Sequence, residues 1–201
     1  MPDRSSRLNI RKITLVAVMS ALAFVLTLWK IPLPFFPSFL DFEMSEVPEL
    51  IAALFAGTGA GILTLLVKCL LMTFKSTSGL VGELANFVVG CAFIIPFGLI
   101  HSKTGTLRRA AAGAVAGTVS MTAVACVFNY FVLIPAFVAI MNIPLDAIIA
   151  MTRETNALVS DLPSLVVFAI APFNALKAAV FSAAALGVWR GVSAGIERYR
   201  K

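Results

Sequence analysis

The segment NALKAAVFSAAALGVW, residues 174–189, is almost entirely apolar, yet it begins with Asn174 and contains Lys177. This composition is typical of the end of a helix that crosses a lipid bilayer. A lysine near the middle of such a helix costs about 2.5–3.5 kcal/mol on insertion scales. The segment therefore predicts a membrane-spanning helix whose polar residues face a compensating group or a ligand rather than lipid.

The composition of the whole chain is that of an integral membrane protein. Its 201 residues are 60% hydrophobic and 13% charged, with a mean hydropathy of +0.97, whereas a soluble domain carries about 25% charged residues. We predict an all-α bundle of six transmembrane helices, in which residues 1–201 form a single membrane-embedded domain. The predicted spans are 13–30, 47–58, 59–75, 83–101, 109–136 and 163–189, with the short second span tilted or bent into the third at Gly57, Gly59 and Gly61.

The positions of lysine and arginine predict the orientation of the bundle. Cytoplasmic loops carry an excess of these residues, and an inner N-terminus places most of them in inner segments and most acidic residues toward the outside. Both termini are therefore predicted to be cytoplasmic in a multi-pass membrane protein. The inner basic residues are Arg4, Arg7, Arg11, Lys12, Lys103, Arg108, Arg109, Arg190, Arg198, Arg200 and Lys201.

Sequence motifs for catalysis, metal binding and nucleic-acid binding are absent. No GxxxxGK[ST] P-loop, HExxH or CxxC occurs, and His101 is the only histidine. The basic residues follow the membrane topology and do not form a patch with interleaved aromatic residues. The sequence therefore predicts neither an enzyme nor a metal site, a cofactor site or a nucleic-acid partner.

Several polar side chains lie inside the predicted spans, toward the outer side. They are Asn129, Asn174 and Lys177, together with Glu83 and Asn86, which share one helix face. An interhelical hydrogen bond explains each asparagine taken alone, and an ion pair, for example with Glu83, explains Lys177. The presence of several such groups together favours a ligand pocket toward the outer side of the bundle.

The outer segment 31–46, IPLPFFPSFLDFEMSE, contains prolines that prevent a regular helix and an excess of phenylalanine. It is either an interfacial aromatic belt or a loop that folds over an apolar ligand from outside. Below it, an asparagine amide can pair with an imide edge, and a lysine can donate to ring carbonyls or a ring nitrogen. Lys68, in the third span, is predicted to pair with Glu83 or with helix-end carbonyls.

Four segments resemble the riboflavin-specific S-components of energy-coupling-factor (ECF) transporters. They are LDFEMSEVPELIAALFAG (40–57), GLVGELANFVVG (79–90), NYFVLIP (129–135) and PFNALKA (172–178), and the similarity runs over essentially the whole chain. The resemblance implies a membrane subunit of a bacterial cell membrane that binds riboflavin with high affinity for uptake. Riboflavin is then the transported ligand, and ATP is hydrolysed by partner subunits.

The resemblance also implies roles for individual residues and partners. It places flavin-ring contacts at Asn129, Asn174 and Lys177, and an AxxxA contact with the transmembrane T-component at Ala17 and Ala21. Two cytoplasmic ATPase subunits complete the implied transporter. An S-component for another vitamin or nucleobase-like solute, and a structural helix bundle without a ligand, stay open as alternatives. The further candidates for substrate binding are Glu83, Asn86, Leu40 and Asp41.

Overall fold

The computed structural model describes residues 4–37, 39–76, 79–101 and 106–199. Lys103, Arg200 and Lys201, which contribute to the predicted orientation, lie outside the described residues. The helices are α1 (Arg4–Thr27), α2 (Glu46–Ala56), α3 (Thr58–Thr73), α4 (Val81–His101), α5 (Leu107–Phe128, continuing through a π-helical turn at Asn129–Leu133 into Ile134–Met141), α6 (Leu145–Arg153) and α7 (Leu162–Leu165, continuing through a π-helical turn at Val166–Ile170 into Ala171–Tyr199).

The all-helical membrane architecture is confirmed, but the count of six spanning helices is not. Within the described residues, the segments long and apolar enough to cross a bilayer are Ile10–Thr27, Val81–His101, Leu107–Met141 and Leu162–Val192. Helix α2 has 11 residues and α3 has 16, whereas a full crossing needs about 20. The two helices are separated at Gly57, where φ is 96°. A residue with a side chain rarely adopts this backbone conformation. The break predicted at Gly57, Gly59 and Gly61 is therefore at Gly57, and the other two glycines lie inside α3.

Close contact between α4 and α5 depends on two glycines of α5, Gly113 and Gly117, which are four residues apart. A Cβ atom on Gly113 would lie 2.6 Å from the carbonyl oxygen of Phe97, and one on Gly117 would lie 2.6 Å from the ring of Phe93. In contrast, a Cβ atom on Gly187 in α7 would meet nothing within 4 Å. Small residues therefore set the α4–α5 distance, as in other membrane helix pairs.

The segment between α1 and α2 packs onto the bundle as part of its core. The N–H of Ile31 donates to the carbonyl of Phe42 at 2.8 Å, and Lys30 Nζ lies 2.5 Å from a carboxylate oxygen of Asp41. These two contacts close residues 30–42 into a loop whose phenylalanines pack against α7. The loop therefore covers the end of the bundle at which α2 begins.

The α4–α5 contact gives a test of the fold. We expect Gly113→Ala to destabilise the protein by about 1–3 kcal/mol, because the new methyl group meets the α4 backbone, which cannot move aside like a flexible side chain. The matched control is Gly187→Ala, which should be neutral or stabilise the protein by up to about 1 kcal/mol, because alanine favours helix and the site is open. Thermal unfolding of both variants in detergent is the measurement. Equal melting temperatures would contradict the described α4–α5 packing.

Candidate ligand site

Two buried ion pairs hold the first turn of α2 against its neighbours. Lys177 Nζ in α7 lies 2.7 Å from Glu46 Oε1, and Lys68 Nζ in α3 lies 2.7 Å from Glu49 Oε1. Glu46 and Glu49 are three residues apart, so both carboxylates stand on one face of α2. Because they lie in its first turn, the helix dipole favours their negative charge. All four side chains are at least nine-tenths buried.

A hydrogen-bonded chain extends from Lys68 toward the outer loop. Lys68 Nζ donates to Ser45 Oγ at 3.1 Å, and Ser45 Oγ donates to Glu43 Oε1 at 2.9 Å. Burial raises the pKa of the Glu43 carboxyl, and the positive charges of Lys177 and Lys68 oppose this effect. Three carboxylates and two ammonium groups therefore meet at the point where α2, α3 and α7 join the loop.

The ion pairs correct the partners expected from the sequence. The partner of Lys177 is Glu46 and the partner of Lys68 is Glu49, whereas the sequence suggests Glu83 for both lysines. Glu83 is half-buried in α4 and accepts a hydrogen bond from Ser76 Oγ at 2.9 Å. The sequence spacing cannot distinguish these pairings, because it does not show which helices are neighbours.

Asn129 and Asn174 are both buried, and each lies at a π-helical turn. Asn129 begins the turn in α5, and Asn174 follows the turn in α7, while the two turns contact each other. Each Nδ2 donates to the carbonyl oxygen four residues earlier, Ala125 at 2.8 Å and Ile170 at 2.9 Å. Within the described part of the chain, these are the side-chain hydrogen bonds that the two amides make. π-Helical turns are frequent at functional sites.

Phenylalanine rings cover the Lys177 side of this polar group. The ring of Phe42 in the outer loop lies 5.0 Å from that of Phe181 and 6.4 Å from that of Phe173, and the ring of Phe36 lies 5.3 Å from Phe173. Lys177 Nζ is 5.8 Å from the centre of the Phe181 ring. The loop and α7 thus place an aromatic wall beside a buried ammonium group.

A cavity of about 420 Å³ lies between the outer loop and α6. Its wall includes Leu40 and Asp41, two of the residues predicted to bind substrate, together with Met151 of α6 and Thr155, which follows that helix. The side chain of Asp41 is 40% exposed and pairs with Lys30. Asn86, by contrast, is exposed on α4 and takes no part in the ion pairs.

The structure also brings residues into the site that the sequence reasoning did not select. They are Glu43, Ser45, Glu46 and Glu49. The signal in the sequence was the acidic spacing of FEMSEVPE at 42–49, next to spans that contain unexplained lysines. The sequence alone also allows these acids to lie in a solvated outer segment, because it does not show that α2 packs between α3 and α7.

The family model for the substrate-specific component of ECF transporters matches residues 11–188 of the chain. The chain belongs to this family. The family assignment confirms the prediction of a membrane transport component rather than an enzyme. The chain is also 30% identical to a solved structure described as the S component of a bacterial ECF transporter, with a TM-score of 0.73, covering 94% of this chain and 98% of that one.

Two relatives that are riboflavin transporters match over most of their length. The riboflavin transporter RibU of Staphylococcus aureus is 33% identical over 94% of this chain and 94% of its own length. The riboflavin transporter FmnP of Bacillus subtilis is 32% identical over 87% of this chain and 88% of its own length. The resemblance found in four short segments of the sequence therefore extends across the S-component fold.

The Lys68–Glu49 pair can be tested by a double-mutant cycle. We expect Lys68→Met to lower the free energy of unfolding by about 3–5 kcal/mol, because it leaves the buried Glu49 carboxylate without its counter-ion. Adding Glu49→Gln should restore most of this loss. Lys30→Met, which breaks the exposed pair with Asp41, is the control and should cost at most about 1 kcal/mol. A Lys68→Met variant as stable as the control would show that the buried pair is unimportant for folding.

Proposed function

We propose that this chain is the riboflavin-binding membrane subunit of an ECF transporter and takes up riboflavin across a bacterial cell membrane. The observation that carries this proposal is the incomplete hydrogen bonding of the buried Lys177 ammonium group. Its ammonium group has three N–H donors, and in the described part of the chain its hydrogen-bond acceptor is Glu46. Two donors remain for a ligand, on a helix that also presents Asn174.

The chemistry of riboflavin suits this group of side chains. The isoalloxazine ring system is flat and aromatic, and one edge carries two carbonyl groups on either side of an imide N–H. Lys177 supplies donors for a carbonyl, and the amides of Asn129 and Asn174 supply both donors and acceptors. The phenylalanines of the loop and α7 supply a wall against which aromatic rings pack favourably.

We propose that riboflavin enters from the outer side, next to the loop at residues 30–42, and that both termini are cytoplasmic. The cavity beside Leu40 and Asp41 supports entry at this end, and the basic residues near the chain termini support the orientation. In this arrangement the polar ribityl chain points toward the loop and the ring system points toward Lys177.

Energy for uptake is proposed to come from a T-component and two ATPase subunits, since the sequence has no P-loop. Ala17 and Ala21 are exposed on α1, and the larger Val18, Leu22 and Val25 are exposed beside them. Small residues at this spacing allow a partner helix to approach closely. This face of α1 is the proposed T-component contact.

The function is tested by riboflavin titration of the purified protein, followed by the flavin fluorescence. We expect Lys177→Met to weaken binding about 10- to 150-fold, because a hydrogen bond from a charged donor is worth about 1.5–3 kcal/mol. Lys68→Met is the matched control, since it removes the other buried lysine of the same cluster, and its affinity should change only a few-fold.

Both variants lose a buried counter-ion and are expected to be less stable, so affinity is measured on the folded fraction. Tight binding of another vitamin by the wild-type protein, with no binding of riboflavin, would reject the proposed ligand. Equal affinities of Lys177→Met and wild type would reject the proposed role of Lys177.

The partner contact gives a separate prediction. We expect Ala17→Trp and Ala21→Trp to abolish riboflavin uptake in cells that contain the T-component and ATPase subunits, while riboflavin binding by the purified variants is unchanged. An indole on this face prevents close approach of the partner helix. Ala123→Trp is the control, because Ala123 is also exposed but lies on α5. Uptake that survives both α1 substitutions would contradict the contact.

A further inference from the structure

Glu46 and Glu49 each have a buried carboxylate oxygen without a hydrogen-bond donor among the described residues, and the one on Glu46 belongs to the partner of the proposed flavin donor, Lys177. Glu46 Oε1 pairs with Lys177, but Glu46 Oε2 is buried without a partner. A buried acceptor without a donor loses its hydration and gains nothing in return. Such atoms are uncommon in native proteins and call for an explanation, of which an absent ligand is one.

The place of Glu46 in the fold makes a ligand the better explanation. Its partner Lys177 lies three residues after Asn174 on α7 and next to the ring of Phe181. Phe42, from the loop that leads directly into α2, contacts the same ring. Glu46 Oε2 is therefore an acceptor at the junction of the loop, α2 and α7, where the polar and aromatic groups of the proposed site meet.

The pair of Lys177 and Glu46 presents a donor next to an acceptor. The imide edge of a flavin presents the complementary pattern, because its N–H lies directly beside a carbonyl group. A ligand with this edge can accept from Lys177 and donate to Glu46 at the same time. Hydrogen bonds in which one partner is ionised are stronger than neutral ones, so this pattern would select strongly for a ligand with an N–H at that position.

We propose that Glu46 is a specificity-determining residue of the ligand site, whose Oε2 accepts the imide N–H of riboflavin while Lys177 donates to the neighbouring carbonyl. This inference rests on the proposed riboflavin function. It gives Glu46 two roles, since Oε1 forms the ion pair with Lys177 and Oε2 accepts a hydrogen bond from the ligand. A ligand that lacks the N–H, or that carries a lone pair there, leaves the carboxylate unsatisfied and is rejected.

Glu49 provides a matched comparison within the same helix turn. It is also buried, it also pairs with a lysine, and its Oε2 also has no donor in the described part of the chain. Its partner Lys68, however, donates to Ser45 as well and lies on α3, whereas Asn174 and Lys177 lie on α7. We therefore expect Glu49 to stabilise the helix packing without contacting the ligand, and Glu49→Gln serves as the control.

The test compares riboflavin with riboflavin methylated on the imide nitrogen, which removes the N–H. In the wild-type protein we expect the methylated compound to bind about 10- to 150-fold more weakly, as for the loss of a hydrogen bond to a charged group. In Glu46→Gln this ratio should fall at least about tenfold, and riboflavin itself should bind more weakly. In Glu49→Gln the ratio should stay at the wild-type value. Glu46→Asp keeps the charge for Lys177 but withdraws the carboxylate from the ligand, so it should also lower the ratio.

The outcomes separate this inference from the proposed function. A wild-type protein that does not bind riboflavin rejects the proposed function itself. If the wild-type protein binds both compounds equally, or if the ratio is the same in wild type, Glu46→Gln and Glu46→Asp, the role of Glu46 is rejected while riboflavin binding stands. A ratio that falls equally in Glu49→Gln also rejects it, because the effect then follows the charge of the whole cluster.

Discussion

The burial of two lysines in an apolar membrane bundle is the constraint on which the rest of the structure depends. An ammonium group cannot remain in this environment without a carboxylate, and the carboxylates come from a single turn of α2. Because Lys68 is on α3 and Lys177 is on α7, this turn must lie between those helices. The two ion pairs thus fix the position of α2, and with it the position of the loop that precedes it.

The two ion pairs also explain why α2 is short. The helix begins at Glu46, where its first turn meets the lysines, and it ends at Ala56, before the bend at Gly57. The chain then returns as α3 and brings Lys68 back to Glu49. A longer α2 would carry its first turn, and both carboxylates, away from the level of the lysines. The short helix and the bend therefore belong to the site as much as to the fold.

The same arrangement leaves unused hydrogen-bonding groups inside a small protein. Buried polar groups are costly when only part of their hydrogen-bonding capacity is used. Among the described residues, unused capacity remains on the Lys177 ammonium group, Glu46 Oε2 and Glu49 Oε2. The π-helical turns shift the register of α5 and α7 beside Asn129 and Asn174, while the loop places Phe36 and Phe42 against α7. A flat ligand with a polar edge would use this capacity and make contact with the aromatic wall.

The sequence by itself determined the membrane class, the all-helical fold, the short second helix and the polar residues Asn129, Asn174 and Lys177, because hydropathy and polar groups in apolar runs are local signals. Only the tertiary structure decided that Lys68 pairs with Glu49 and that Lys177 pairs with Glu46 rather than Glu83. The roles of Asn129, Asn174 and Lys177 in ligand binding stay predictions. The pairing could not be read from the sequence, because an ion pair depends on which helices are neighbours and on how deep each residue lies in the membrane. The spacing of residues along the chain gives neither of these.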